Sequence, residues 1–464
     1  LGDLAPLASL TNLDTLDLSG NQIGDLAPLA SLTNLDYLDL AGNQLSDIAP
    51  LANLTKLEML DLSSNQLGDL APLASLTNLD TLDLSGNQIG DLAPLASLTN
   101  LDYLDLAGNQ LSDIAPLANL TKLEMLDLSS NQLGDLAPLA SLTNLVTLDL
   151  SSNQLGDLIA PLASLTNLVT LDLAFNQLGA LAPLASLTNL VTLDLVGNQI
   201  WDVKPLGGLT KLKELFLSFN QILLISPLSS LDSLKKLRLH SNFVSDIRSM
   251  SALASLQDLD LSYNRIADIG PLSGLITLKE LKLSQTCIAD IGPLSGLTQL
   301  ERLALDADHP DSLGGVLPAR TGPMSISLRV NDPDRMRTLF SSHPWMSSLS
   351  LSGDEVVDIT PLSDLSMLLS YPCIRCLFLT CDQLVDITPL SNLSSLQFIS
   401  LEINSMAVID PLLSLPNLAK LELDAPLDSP RAKEVLSILE QQGVEVIAWY
   451  KDWRASVNLF AQEH

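Results

Sequence analysis

Aromatic residues make up only 4% of this 464-residue chain, cysteine occurs four times and histidine four times, and Lys and Arg together number 23 against 54 acidic residues. Each scarcity narrows the possibilities. Few aromatics at 47% hydrophobic content mean an interior filled by aliphatic side chains. A formal charge of −31 makes nucleic acid or an anionic membrane surface an unfavourable partner. No apolar run approaches the roughly 18 uninterrupted residues of a membrane-spanning helix, so membrane insertion is not expected, and the positive mean hydropathy comes from leucines placed at intervals. Cys287, Cys373, Cys376 and Cys381 are too few for a disulfide framework in so long a chain, and the Cys373/Cys376 pair lacks the second pair or flanking histidines of a zinc set. They are expected to be buried or incidental, and unpaired thiols with no visible signal peptide favour a cytoplasmic over an extracellular setting. The chain opens mid-repeat at Leu1 without Met, which reads as a piece of a longer protein whose N-terminal cap lies outside it.

What the chain has in abundance is one unit, Leu13 to Asn34, LDTLDLSGNQIGDLAPLASLTN. Thr15, Asp17 and Ser19 alternate with Leu16 and Leu18, the period of a short strand with one wet and one buried face. Asn21 follows at the turn, where a short amide can bond to freed backbone groups. Ile23 and Leu26 point inward again. Pro28 suits the first turn of a short helix, because its fixed φ is helical and its missing N–H is not needed there. One such coil cannot bury enough surface alone, so neighbours must pair their strands and pool their leucines.

The turn asparagines Asn21, Asn43, Asn65, Asn87, Asn109, Asn131 and Asn153 fall 22 residues apart. An extra residue near Ile159 moves the next to Asn176, and the rhythm resumes through Asn198, Asn220, Asn242 and Asn264. That insertion follows a strand and should bulge outward without breaking the sheet. Residues 1–79 repeat identically as residues 67–145. Beyond Asn264 the turn position passes to Thr286, Asp308, Asn331, Asp354, Asp382 and Asn404 at uneven spacing. His309–Pro323 reads as an irregular return, Asp332–Ser342 as a helix, and 366–375 as a larger loop. SPRAKEVLSILEQQ from Ser429 predicts a helix and VEVIAW a strand, a cap for the open core followed by Lys451, Asp452 and Arg454. The expected organisation is regular repeats over 1–308, degenerate repeats with longer outer insertions over 309–428, and a helix-strand cap over 429–464.

The pattern LxxLxLSxNQIxDLxPLAxLTN resembles the 22-residue leucine-rich repeat of the internalin type, which a eukaryotic regulatory subunit of protein phosphatase shares. The resemblance implies an α/β solenoid, a horseshoe with a concave parallel β-sheet and short 3-10 or α-helical turns on its convex side, used to bind other proteins. The sequence shows no secretion signal, following immunoglobulin-like module or helical start cap, so host-cell adhesion is not carried over.

Two sets of residues face water on the expected sheet. Asp17, Asp39, Asp61, Asp83, Asp105, Asp127, Asp149, Asp172 and Asp194 form an acidic ladder at about 4.8 Å per step. Adjacent charges at that spacing repel by about 1 kcal/mol in water. A basic partner or cations would relieve the repulsion, and the plainer alternative is that each Asp bonds a neighbouring Ser or Thr hydroxyl. A shallow row lacks the enclosing oxygens of a calcium loop. Diversity begins later, with Phe175, Phe216, Phe219 and Tyr263 on or beside the strands, Lys236, Arg238 and His240 on one strand, and Trp201 after a turn. Exposed aromatics and Arg are the residue types of interfaces, so these form the candidate partner-binding set. No nucleophile matches His240, and no phosphate loop, metal-ligand pair or cofactor motif stands out, so neither enzyme nor cofactor is expected. The primary expectation is a protein-interaction scaffold whose partner carries a basic surface. The alternative is a spacer or sensor arm of a larger protein, linked to a GTPase or a cell-surface anchor. Oligomeric state is not fixed by these residues.

Overall fold

The computed structural model describes residues 4–288, 290–306, 324–329, 346–352, 375–381, 387–403, 409–424 and 430–449. Two compact units divide the chain, Leu1–Val244 and Ser245–His464.

In the first unit each 22-residue coil contributes one three-residue strand. These run β1 (Thr15–Asp17), β2 (Tyr37–Asp39), β3 (Met59–Asp61), β4 (Thr81–Asp83), β5 (Tyr103–Asp105), β6 (Met125–Asp127), β7 (Thr147–Asp149), β8 (Thr170–Asp172), β9 (Thr192–Asp194), β10 (Glu214–Phe216) and β11 (Lys236–Arg238). Each pairs in parallel with the next in chain order, Leu on Leu and, from β1 to β9, Asp on Asp. Coils are numbered below by strand, Asn21 being the turn residue of coil 1 and Asn242 that of coil 11. A five-residue 3-10 helix such as Ala27–Ser31 or Ala93–Ser97 brings the chain back, with proline in its first turn. The aspartate two residues ahead of it closes the start. Asp25 Oδ1 accepts the Ala27 N–H at 2.9 Å, and Asp113 does the same for Ala115 at 2.8 Å. Sheet on the concave side and 3-10 turns on the convex side enclose leucines and isoleucines that are almost all fully buried.

Buried asparagines tie coil to coil. Asn109 Nδ2 donates to Leu106 O at 3.1 Å and Ala107 O at 3.3 Å in its own turn and to Leu84 O at 3.0 Å in the coil before, while its Oδ1 accepts the Ile89 N–H at 3.0 Å. The set repeats at Asn43, Asn65, Asn87, Asn131 and Asn153. One amide thus satisfies turn carbonyls and a neighbour's N–H that water cannot reach.

The inserted residue leaves the pairing of β7 with β8 in register, as expected from its place after the strand. Leu158 is extruded, 60% exposed, and Ile159 takes the buried position. The asparagine ladder, however, is broken there. Asn176 is fully buried and its Nδ2 keeps three carbonyl partners, but its Oδ1 has none. Asp157, displaced from its own 3-10 turn, instead accepts the N–H groups of Gly179 and Ala180 in the next coil, both at 2.8 Å. That coil carries Ala180 where its neighbours have the capping aspartate, so the two irregularities compensate.

The second unit continues with β12 (Asp258–Asp260), β13 (Glu280–Lys282), β14 (Arg302–Asp306), β15 (Met324–Arg329), β16 (Met346–Ser352), β17 (Cys376–Cys381), β18 (Phe398–Ile403), β19 (Lys420–Asp424) and β20 (Glu445–Trp449), again parallel and sequential. Helix α1 (Pro430–Gln441) connects the last two strands and buries Val435 and Leu439. At the head of α1, Arg431 Nε donates to Asp410 Oδ1 at 2.7 Å, joining it to the preceding 3-10 turn. The expected return at His309–Pro323, helix at Asp332–Ser342, loop at 366–374, and the residues Cys373, Lys451, Asp452 and Arg454 lie outside the described residues. Cys287 is exposed and Cys376 half-buried.

Candidate functional site

The aspartate ladder faces out from the first unit's sheet, and its immediate role is local. Every ladder Oδ1 accepts the backbone N–H two residues on, at 2.8–2.9 Å, from Ser19 to Val196. Hydroxyl donation, the alternative read from the sequence, comes from Ser19 and Ser85, both at 2.7 Å, and from Ser129 to Asp127. The bond needs no side-chain donor, which is why Ala41, Ala107, Ala174 and Val196 serve equally well. Aspartate here directs the chain from strand into turn.

That role sets carboxylates side by side on a half-buried surface. Partial burial raises Asp39, Asp83, Asp127 and Asp194 above the usual carboxylate range, and neighbouring ladder charges raise them further against the backbone bond that lowers them. The same causes take Asp105 to about 6 and Asp172 to about 7. Asp17, at the open end, moves the other way, lowered by the Ser19 backbone and hydroxyl bonds. Burial and then the ladder charges push the phenols of Tyr37 and Tyr103 up.

The candidate partner-binding residues fall into three places. Phe216 continues the ladder column in β10 and Arg238 in β11, each half-buried, and Lys236 Nζ stands 5.1 Å from the centre of the Phe216 ring. Phe175 and Phe219 are not on strands. They occupy the position before the turn asparagine, with φ of +56° and +55°, where coils 1–7 have Gly or Ser. A bulky side chain in left-handed backbone costs about 1–2 kcal/mol, yet these rings are 58% and 54% exposed. Phe175 lies over Gly197, where an added Cβ would come within 2.4 Å of the ring. Phe219 meets the His240 ring edge-on at 4.4 Å; His240 follows β11 and is not within it. Trp201 is 66% exposed after the turn of coil 9. Tyr263, in the second unit, takes the same pre-asparagine position at φ +55°. We expect Phe175→Gly to raise the thermal midpoint by about 2–4 °C, since backbone strain is removed and little burial is lost; a lowered midpoint would show the ring to be a packing element.

Sequence reading missed the residues that adjoin this set. Leu223 and Leu224 in coil 10 and Phe243 in coil 11 are exposed, as is Trp201 in coil 9. A parallel bridge between Asp202 and Leu224 and the Phe243 N–H bond to Ile222 O hold these coils together. Leu224 stands where other coils have the capping aspartate, a signal legible by aligning the coils. In the second unit burial would raise the Glu280 carboxyl, but hydrogen bonds from Arg302 and Lys282 outweigh it and hold it below its usual value. Among the described residues no group of three His, Cys, Asp or Glu side chains could hold a metal ion, and no helix is long and apolar enough to cross a membrane.

The family model for leucine-rich repeats, two copies per match, fits the chain in eleven overlapping segments from residues 11–53 to 232–274. An internalin of Listeria monocytogenes, inlF, is 38% identical over 63% of this chain and 87% of its own, with a TM-score of 0.62. A leucine-rich repeat protein of Leptospira interrogans is 26% identical over 74% of this chain and 91% of its own, TM-score 0.61. The ectodomain of an Arabidopsis thaliana receptor kinase, solved in complex with CASPARIAN STRIP INTEGRITY FACTOR 2, shares the fold at 22% identity, covering 96% of this chain and 60% of its own, TM-score 0.57. No curated protein matches the sequence. Leucine-rich repeats in general act in protein–protein interaction, and the pattern of 22-residue coils, 3-10 returns and a stacked asparagine ladder places this chain in that family: it is a leucine-rich repeat protein with repeats of the internalin type.

Proposed function

We propose that the chain is a binding scaffold that captures a protein partner on the sheet face of its first unit. One observation carries this reading. Aromatic and cationic side chains gather on the outward face of coils 8–11, Phe175 and Phe219 at a backbone cost, where the buried core has no use for them. Exposed aromatics and Arg of this kind are what interfaces concentrate their binding free energy in. The Arabidopsis ectodomain, similar in fold, is one such scaffold seen with a bound ligand. The acidic ladder steers a partner with a basic surface, and helix α1 with β20 closes the core at the other end of the chain. Binding and not catalysis is the activity.

Phe216→Ala combined with Arg238→Ala is expected to weaken partner binding at least tenfold, since hot-spot truncations cost about 2 kcal/mol or more, while the thermal transition stays put. Calorimetry giving the same affinity for the wild type and the double variant would remove the reading. Association should also slow steeply as salt is added, because steering by the acidic face acts at long range; a rate flat in ionic strength counts against the ladder's part in it.

A further inference from the structure

The outward face of the first unit is not uniformly acidic; it has two poles. The column one residue ahead of each strand is acidic from Asp14 through Glu124 in coils 1–6, valine at Val146, Val169 and Val191, and lysine at Lys213 and Lys235. Backbone bonds align it, Asp36 N–H to Asp14 O, Val169 N–H to Val146 O and Lys235 N–H to Lys213 O, all at 2.8 Å. The ladder column changes in the same sense, from Asp17 through Asp194 to Phe216 and Arg238. Taken together these two columns carry only carboxylates over coils 1–6, an aliphatic belt beside three aspartates over coils 7–9, and a cationic and aromatic pole over coils 10 and 11, where Glu214 stands against Lys213, Lys235, Lys236 and Arg238. At about 4.8 Å per coil the acidic pole is about 24 Å long and the whole face about 48 Å.

A second feature marks the cationic pole as a contact surface. Trp201, Leu223, Leu224 and Phe243 line the turn margin of coils 9–11, between 43% and 66% exposed. Coils 1–7 carry glycine or serine and then aspartate at the positions of Trp201, Leu223 and Leu224, and coil 8 carries Gly179 and Ala180. At Leu224 this means losing the carboxylate that elsewhere caps the 3-10 turn, as Asp202 caps Lys204 at 2.9 Å. An apolar margin on the same coils as the cations suits a segment that brings apolar side chains together with carboxylates.

We propose that this face selects an elongated, charge-segregated protein segment, basic where it lies on coils 1–6 and acidic with apolar side chains where it reaches coils 10 and 11. The proposal rests on the protein-binding reading above and adds the partner's chemistry and direction. A uniformly basic partner is repelled at Lys213 and Lys235, and a uniformly acidic one along coils 1–6. Only a partner whose charges are ordered along its length meets opposite charge throughout, so charge order and not net charge is what the scaffold reads.

The test uses the full chain and two synthetic peptides of one composition, about eight lysines, four alanines and four glutamates, lengths matched to the face at ~3.3 Å per extended residue. One peptide carries the lysines, alanines and glutamates as successive blocks; the other has them interspersed. Fluorescence anisotropy at low ionic strength is expected to show the block peptide binding about tenfold tighter or more, the margin that charge complementarity supplies. In Lys213→Glu/Lys235→Glu that preference should vanish while binding of plain oligolysine persists; Lys213→Gln/Lys235→Gln, which removes charge without reversing it, should reduce the preference partway. Equal affinity of the two peptides for the wild type, a preference that survives in the Lys→Glu variant, or no binding of either peptide overturns the proposal. Equal peptide affinities together with lost partner binding in the Phe216/Arg238 variant would overturn the charge order alone and leave the scaffold reading standing.

Discussion

Asn109→Ala is expected to destabilise the first unit by about 3–5 kcal/mol, read as a lower urea midpoint. The change strips four hydrogen bonds at once. Leu84 O, Leu106 O and Ala107 O each keep a second donor, Asn87 Nδ2, Asn131 Nδ2 and the Gly86 N–H, whereas the Ile89 N–H loses its acceptor. The buried Ile89 N–H left unpaired costs about 1–3 kcal/mol, and each of the three lost amide bonds adds about 0.5–1.5 kcal/mol. The molecule supplies its own control. Asn176 is also buried, more fully than Asn109, but its Oδ1 accepts nothing, so Asn176→Ala should cost less than Asn109→Ala by about 1–2 kcal/mol, the worth of the missing bond with its desolvation. Should the two substitutions destabilise equally, the ladder's acceptor half contributes nothing and the coils are held by leucine packing alone.

This contrast also shows where the sequence was legible. The period of 22 located the coils from Asn21 to Asn153 and from Asn176 to Asn264, and alternation of Leu16 and Leu18 with Thr15 and Asp17 located their strands and wet face, because strand periodicity is a local property. Pro28 placed the helical return for the same reason. What lay beyond reading were relations between coils. Nothing within one repeat says that Asn109 reaches back to Leu84, or that Asp157 crosses to serve a coil that lacks its own aspartate. The extra residue near Ile159 was visible and so was its outward bulge; that it orphaned Asn176 Oδ1 followed only from the stacked geometry. Among site residues the aspartates stack as a column in register, and the hydroxyl bonding read from the sequence holds at Ser19 and Ser85, whereas the backbone N–H is the constant donor. Phe175 and Phe219 stand beside the strands and not on them, in a conformation the sequence did not announce: exposed aromatics draw notice in a sequence, and left-handed φ does not. The Lys213 and Lys235 pole was overlooked because it emerges only when the residue ahead of each strand is followed from coil to coil.

The second large effect concerns pH, and its sign runs opposite to ordinary acid denaturation. Asp172 has a folded value of about 7 against 3.8 for the free side chain, through burial and the charges of Asp149 and Asp194. A group whose folded value is raised binds its proton more tightly in the native state, so its contribution to stability is full below about 4 and is lost as pH rises through 7. Asp105, at about 6, and Asp39, Asp83, Asp127 and Asp194, raised for the same reasons, act in the same direction. The first unit should therefore become more stable, not less, as pH falls from 8 to 5. Asp172→Asn isolates the cause: the amide Oδ1 can still accept the Ala174 N–H that the carboxylate holds at 2.8 Å, but no charge remains to be desolvated. A tenfold displacement of a proton equilibrium is about 1.4 kcal/mol, and with water screening the open side of the ladder the gain at pH 8 should be on the order of 2 kcal/mol. Below about pH 3.5, where Asp172 is protonated in the folded and unfolded chain alike, the variant and wild type should unfold together. A variant that gains nothing at pH 8, or gains the same at both pH values, would mean that the ladder charges are fully solvated and that the repulsion between coils is too weak to favour a basic segment laid along them.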